Sequence, residues 1–419
     1  MNNLPPKWSW VKLGDVCEIV MGQSPPSSTY NTEEIGLPFF QGKAEFTELY
    51  PIVRKWCSKP NKIAEPLDIL ISVRAPVGSS NIANLKCCIG RGLAALRYPD
   101  CNKYIFYYIR LSETELDKLG TGSTFKAISS TTLRNFEIPL PSLPEQKKIV
   151  EKIEELFSRL DDGVASLKKA KAQIRLYRQS VLASAFSGKL INGERLNGIQ
   201  EVSKAAEPKV NYSIQLPNGW KWVKLGEVID SMQYGTSDKA IGNETGIPVL
   251  RMGNIQDGKL DYSSLKYFDK SFEDLDKYLL EDGDILFNRT NSAELVGKSA
   301  IYKKHHPKSI FASYLIRVKV TKTIYSPEFL NYYINSSYGR DFIKSVVSQN
   351  VGQANVNGTK LKGMQIPLVP LNQQTQIVEE IEKRFSEADN LEKAIDESLV
   401  KSETLRQSIL KQAFEGKLI

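Results

Sequence analysis

"RQSVLASAFSGKLI" occupies Arg178–Ile191 and "RQSILKQAFEGKLI" occupies Arg406–Ile419, and ten of the fourteen letters agree. Repeats are read first because they set the architecture of everything between them. The match runs backwards without a gap, so that Ile138–Ile191 aligns with Ile366–Ile419 at 23 identities in 54 residues. A second pair opens each half: "WSWVKLGDV" from Trp8 and "WKWVKLGEV" from Trp220 hold four of the five tryptophans. Between these anchors only echoes survive. "GLPFF" at Gly36 answers "GIPVL" at Gly246, "PLDILISVR" at Pro66 answers "DGDILFNRT" at Asp282, and "FYYI" at Phe106 answers "NYYI" at Asn331. The order is variable domain, shared segment, variable domain, shared segment.

Both shared segments have helical periodicity. Ile149, Ile153, Leu156, Leu160, Leu167, Ile174 and Val181 recur at steps of three, four or seven, as do Ile377, Ile381, Ala388, Leu391, Ile395, Leu405 and Ile409 apart from one step of ten between Ile395 and Leu405. A sustained 3.5-residue period is the signature of a coiled coil, and no proline interrupts either run after Pro144. "LDDG" at Leu160 is a candidate break, but the aligned "ADNL" lacks the glycine, so one continuous helix is expected. Neither helix can bury its seam alone, whereas the two can bury it in each other. Lys168–Arg178 carries five basic residues and no acid, and the second segment carries ten acids against seven bases, which favours pairing. The alternative is two amphipathic helices lying on separate domains.

The variable domains read as mixed α/β (α+β). "DILISVR", "GLAALRY", "DILFNRT" and "YLIRVKV" are short β-rich runs bounded by turn residues, and one helix per domain is expected around "KYIFYYIRL" and "PEFLNYYINSSYGRDFIKSV". The expected organisation is a first domain over 1–143, a helical spacer over 144–191, a polar linker over 192–217, a second domain over 218–371 and a second spacer over 372–419. The two long helices are expected to pair with each other, and the whole reads as an internal repeat.

Composition narrows the function. The 419 residues, 41% hydrophobic and 25% charged, suit two or three soluble domains. No apolar run approaches membrane-spanning length and no secretory signal is visible, so a cytoplasmic protein is expected. Five cysteines lie in the first quarter without a C-x-x-C, and the only histidines are His305 and His306. Paired zinc ligands are therefore missing, and reduced, mostly buried thiols are expected. A net charge of +8 suits a polyanion partner without deciding for one.

Catalytic constellations are missing as well. "ELVGKS" at Glu294 ends like a phosphate-binding loop, yet the glycine needed five residues before Gly297 is Ser292. There is no G-x-S-x-G, H-E-x-x-H, N-P-P-Y or strand-linked G-x-G-x-x-G. The loops instead carry arginine, lysine, asparagine and glutamine, which read base edges, beside serine and threonine, which hold phosphates. Candidate DNA contacts in the first domain are Gln23, Ser24, Gln41, Lys43, Arg74, Arg91, Thr124 and Lys126. In the second they are Thr236, Ser237, Arg251, Asn254, Asn288, Arg289, Thr290, Asn291, Lys298, Gln353 and Asn355. One such loop is ordinary turn chemistry. Four at matching stations in both halves suggest a reader of two separated half-sites.

The whole chain resembles the specificity subunit of type I restriction-modification systems. The W-x-W-V-K-L-G openings, "IPLPSLPEQKKIVEKI" with "IPLVPLNQQTQIVEEI", and "AFSGKLI" with "AFEGKLI" carry the likeness, and "GDILFNRTNSAELVGKS" looks like a recurrent second-domain loop. The first domain departs from it with "ISVRAP". The resemblance implies that each domain reads half of a bipartite double-stranded DNA site through the major groove. It implies that the two long helices form an antiparallel coiled coil, a pseudo-twofold internal repeat that fixes the spacing and docks two modification subunits, which two restriction subunits join. The chain itself is then non-catalytic and binds no metal or cofactor, while the complex uses S-adenosylmethionine, ATP and Mg²⁺. The alternatives are the specificity part of a related restriction system, or an RNA-binding or structural coiled-coil adaptor.

Overall fold

The computed structural model describes residues 4–122, 126–190, 216–238, 246–269, 273–350 and 353–419. It divides into two compact units, Met1–Leu167 with Asp396–Ile419 and Lys168–Ile395. Each unit therefore owns one variable domain and part of both shared segments. The expected linker falls almost wholly on 191–215, outside the described residues.

In the first unit a four-stranded antiparallel sheet runs in the order Glu18–Met21, Leu93–Arg97, Ile69–Ser72, Ser80–Ile82. The β-rich runs of the sequence become its two central strands, buried on both faces. The second unit repeats the order with Ile229–Tyr234, Leu315–Val320, Ile285–Asn288 and Ser299–Ile301. A smaller sheet leans on each. Leu37–Phe40 pairs in parallel with Cys87–Ile89, and Ile247–Leu250 with Ile310–Phe311. The turn before the third strand is also shared. Asp68 and Asp284 each accept a backbone N–H three residues back, and the residues before them, Leu67 and Gly283, both have positive φ.

The expectation of one helix per domain is corrected: two consecutive helices stand at each aromatic run, and each domain adds short helices of four or five residues. Asn102–Leu111 is followed by Glu113–Lys118, and Pro327–Asn335 by Ser337–Val346. Ser336 ends one helix and caps the next: its hydroxyl donates to the Tyr333 carbonyl at 2.6 Å and accepts the Gly339 N–H at 3.4 Å. A serine between two turns competes with the helix for its own backbone bonds. The pattern of apolar spacing alone does not reveal that break.

Each W-x-W motif locks its domain to a long helix. Ser9–Lys12 pairs with Glu137–Leu140, and Lys221–Lys224 with Gln365–Leu368, both antiparallel. The buried Trp8 indole donates to Glu145 Oε1 at 3.0 Å, and the Trp220 indole to Gln373 Oε1 at 2.9 Å. One residue on, Gln146 and Gln374 are buried amides with both ends used, which explains why this glutamine is shared.

The long helices, Leu143–Phe186 and Leu371–Phe414, are continuous through 44 residues each. Gly163 causes no break. Within each unit they run antiparallel, held by the same device. In the first, Arg406 lies 5.0 Å over the Phe157 ring and pairs with Asp161 and Glu48. In the second, Arg178 lies 6.0 Å over the Phe385 ring and bonds Asp389 at 2.5 Å and Glu392 at 3.1 Å. Phe157 and Phe385, Asp161 and Asp389, and Arg178 and Arg406 are equivalent positions of the repeat. Tyr107 and Tyr332 meet those phenylalanines edge-on at 5.8 Å, tying the clamp to each domain's aromatic helix.

Two residues of the expected seam point outward. Leu391 and Leu405 are about half exposed. The inward places are taken by Glu392, which pairs with Lys171 and Arg178, and by Arg406, so ion pairs displace the leucines by one position. The helix ends are apolar again. Phe414 is buried between Tyr104 and Tyr108, and Phe186 between Phe329 and Tyr333. Gly188 and Gly416 then turn the chain at positive φ, directly against Pro217 and Pro5. Only glycine takes that conformation without strain, so "GKLI" is a helix terminator docked on the segment that precedes each W-x-W. No helix among the described residues is long and apolar enough to cross a membrane.

Candidate nucleic-acid interface

The candidate residues of the first domain gather at one end of its four-stranded sheet. Strand Glu18–Met21 runs out there into Gly22, Gln23 and Ser24, and Ile69–Ser72 into Val73 and Arg74, while Leu93 is entered from Gly90, Arg91 and Gly92. Backbone bonds carry the ladder past the strand ends: Gly22 N–H to Leu93 O at 2.9 Å, Gln23 to Ile89 at 3.1 Å, Val73 to Gly92 at 2.9 Å. Ile128 N–H then bonds Val73 O at 3.0 Å and Ala75 N–H bonds Lys126 O at 2.9 Å, which brings the 126–128 loop to the same end.

Glycine is required here for closeness. A Cβ on Gly22 would stand 2.2 Å from Gly90 O, and one on Gly92 would stand 2.4 Å from Gln41 O. Gln41 is thus packed beside Arg91. Gln23, Gln41, Arg74 and Arg91 are exposed, and the Ser24 hydroxyl accepts the Arg91 N–H at 3.2 Å. Lys43 reaches Ser79 at 3.4 Å. Lys126 bonds Asp117 at 2.9 Å, and that hydrogen bond holds the Asp117 carboxyl below its usual range. Thr124 lies outside the described residues.

The second domain builds the same platform from unrelated letters. Gly235 N–H bonds Leu315 O, Thr236 bonds Phe311, Arg289 bonds Tyr314 and Val356 bonds Arg289 O. Arg289 therefore occupies the place of Val73, Thr290 that of Arg74, Tyr314 that of Gly92 and Ser313 that of Arg91. The cation has moved by one residue. In extended backbone that turns the side chain to the other side. Val73 is core, whereas Arg289 is half-buried, with its guanidinium 4.8 Å over the Tyr234 ring and Nη1 donating to Ser313 O at 3.3 Å.

Not all of the second domain's candidates face outward. Asn288 is fully buried at the strand end. Asn254 is buried too, with its amide donating to Asp261 O and Ser264 O at 2.9 Å and accepting the Arg251 N–H at 2.9 Å. Thr236 is buried against Asp238, to which it donates at 2.7 Å. These three shape the loops from inside, as small polar residues do in turns. Asn355 donates to Thr290 Oγ1 at 2.7 Å on a short ribbon that also carries Asn291 and Gln353. Ser237 and Gln353 are exposed, and Arg251, Thr290, Asn291 and Lys298 are half-buried. Sequence reading missed Tyr234 and Tyr314. Both are more than 40% exposed at the sheet end, and no spacing rule marks a lone surface tyrosine.

Arginines elsewhere in the sheets serve the fold. Arg97 chelates Asp68 at 2.8 and 2.9 Å, and Arg317 is buried against Asp284 and the Leu279 carbonyl. All five cysteines are free, four of them buried, and burial pushes the Cys17 and Cys87 thiols up to about 12. Such thiols are inert at neutral pH. The described residues include no group of histidine, cysteine and carboxylate able to hold a metal ion.

The chain is similar to known proteins over most of its length. It is 29% identical to the type I restriction enzyme StySPI specificity subunit of Salmonella potsdam over 440 aligned positions, covering 99% of this chain and 90% of that protein. It is 28% identical to the type I restriction enzyme EcoKI specificity subunit of Escherichia coli, covering 90% and 80%. The crystal structure of the HsdS subunit from Thermoanaerobacter tengcongensis shares the fold, with a TM-score of 0.57 at 20% identity over 99% of this chain and 98% of that one. The model of the type I restriction modification DNA specificity domain matches twice, over residues 5–175 and 217–401. With both halves matched, the chain belongs to the type I restriction modification DNA specificity domain family.

Proposed function

We propose that this chain is the DNA-recognition subunit of a type I restriction-modification complex, with each sheet end reading one half of a bipartite double-stranded site. The observation that carries the reading is the recurrence of one platform in both units. The same strand order and the same backbone bonds past the strand ends support different polar and cationic side chains. Phosphate contacts on such a surface set position, and arginine or asparagine at base edges sets sequence. The paired helices fix the distance between half-sites, and two modification subunits dock on the repeated scaffold. Two restriction subunits complete the assembly. S-adenosylmethionine, ATP and Mg²⁺ belong to those partners, and this chain contributes no reacting group.

Methylation-aware sequencing of DNA from a host carrying this gene with its modification subunit tests the reading. A single bipartite motif, two fixed blocks around a fixed gap, is the expected result; an unsplit motif or none overturns it. The purified chain alone should show no turnover with S-adenosylmethionine, or with ATP and Mg²⁺, and measurable turnover refutes the non-catalytic role.

A further inference from the structure

We infer that Tyr234 is the positioning residue for Arg289, and that this stacked pair sets the sequence discrimination of the second half-site. The inference rests on the DNA-reading function proposed above. An arginine at a strand end carries several rotatable bonds and reads a base edge only if its plane is fixed beforehand. Three features fix this one. Its guanidinium lies 4.8 Å over the Tyr234 ring. Nη1 donates to the Ser313 carbonyl at 3.3 Å, and Nε is buried with no hydrogen-bond partner. The ring contact compensates a guanidinium that lacks its full set of bonds.

Tyr234 is itself immobilised. Its hydroxyl accepts the Gly358 N–H at 2.8 Å, and a Cβ on Gly358 would come within 3.1 Å of that oxygen. Tyr314, whose carbonyl accepts the Arg289 N–H, stays 45% exposed. The arrangement belongs to the second domain alone. The places of Tyr234, Arg289 and Tyr314 are held in the first by Met21, Val73 and Gly92, none of which can present a fixed cation.

A purely structural Tyr234 would act through its hydroxyl on the Gly358 loop; a positioning Tyr234 acts through its ring on Arg289. The test compares Tyr234→Phe, Tyr234→Ala, Arg289→Ala and the double alanine variant in the full chain with its modification subunit. Discrimination is measured at each half-site by methylation of duplexes changed one base pair at a time. Tyr234→Ala should lower discrimination at one position of the second half-site by about 3- to 30-fold, the range of an aromatic–cation contact. Tyr234→Phe should lose clearly less than Tyr234→Ala, because the ring remains and only the Gly358 bond that steadies it is removed. The double variant should be no worse than Arg289→Ala, since the two residues act as one unit. Unchanged reading of the first half-site reports an intact, assembled chain. Three results overturn the inference: equal damage from phenylalanine and alanine, additive losses in the double variant, or loss of both half-sites together. A parent complex with no sequence preference overturns the DNA-reading function instead, and this inference falls with it.

Discussion

Phe414→Ala should unfasten the first unit and leave the second intact. Phe414 is fully buried, with its ring edge-on to Tyr104 at 5.1 Å and to Tyr108 at 5.0 Å. Ile409, Leu410 and Ala413 share that core, so it is built from residues some 300 positions apart in sequence. Truncating a buried phenylalanine costs about 3–5 kcal/mol, the transfer term plus the cavity left by a site that cannot collapse. At 1.4 kcal/mol per tenfold, about 4 kcal/mol accelerates sub-global opening by nearly three decades. Hydrogen exchange followed by mass spectrometry should show that acceleration in peptides from Asn102–Leu111 and Glu137–Leu140, with peptides from Pro327–Asn335 unchanged. Phe186→Ala is the mirror experiment, because Phe329 and Tyr333 flank that ring at 5.1 Å in the second unit. Equal acceleration in both units, or less than tenfold in either, would refute the assignment of each helix end to its own core.

Inserting seven residues after Leu167 and seven after Ile395 should widen the gap in the methylated motif by about three base pairs, since a heptad adds about 10.5 Å of helix, while both half-site sequences stay the same. An active complex with an unchanged gap would show that the helices are not the spacer. Gly416→Ala places a Cβ 2.3 Å from Pro5 Cγ at a φ of +68°, and thermal denaturation should show a loss of about 1–3 kcal/mol; a neutral result would mean the terminator is undocked. Leu67→Gly should instead raise the melting temperature by a degree or two, because Leu67 is exposed at φ +75°, where the second unit has Gly283, and relief of roughly 1–2 kcal/mol exceeds the entropic cost of about 0.5–1. Burial, then His305 and Lys303, depress the pKa of His306, whose Nδ1 accepts the Lys303 N–H at 3.0 Å. Its contribution is present above the unfolded value of about 6.5 and is lost as pH falls through the depressed one, so His306→Gln should flatten the acid limb of stability against pH.

Much of this was legible because duplication prints its constraints twice. The W-x-W motifs, the shared glutamine and "AFxGKLI" mark places where tryptophan, a buried amide, a core phenylalanine and a positive-φ glycine are each needed in both units. Other features lay beyond reach. The break at Ser336 depends on side-chain bonds to the backbone, which periodicity does not register, and the one at Ser112 forms with no side-chain cap at all. Leu391 and Leu405 fit the heptad yet face outward, because neighbouring charges find partners on the facing helix and take the inward place. The structure gathers the candidate loops at the sheet ends, but the sequence does not separate their residues one from another. Asparagine suits a base edge and a loop interior equally well, and only burial separates Asn254 and Asn288 from Asn355.

The two layers of the molecule differ in what holds them, and that difference explains why one is repeated and the other is not. The helix clamp works through side chains: Arg406 needs both the ring of Phe157 and the charge of Asp161, as Arg178 needs Phe385 and Asp389. Changing one letter leaves a half-buried charge without its partner, a costly state. The sheet end works through backbone: Gly22, Gln23 and Val73 make in one unit the bonds that Gly235, Thr236 and Arg289 make in the other. Any residue except proline supplies a backbone N–H, so apart from the closely packed glycines the side chains there can vary without loss of the ladder. A core valine can stand where the other domain has a stacked arginine, and an exposed arginine where it has a threonine. Side-chain clamps thus hold the scaffold constant while backbone-built platforms let what is presented change, which is what the proposed reading of two different half-sites requires.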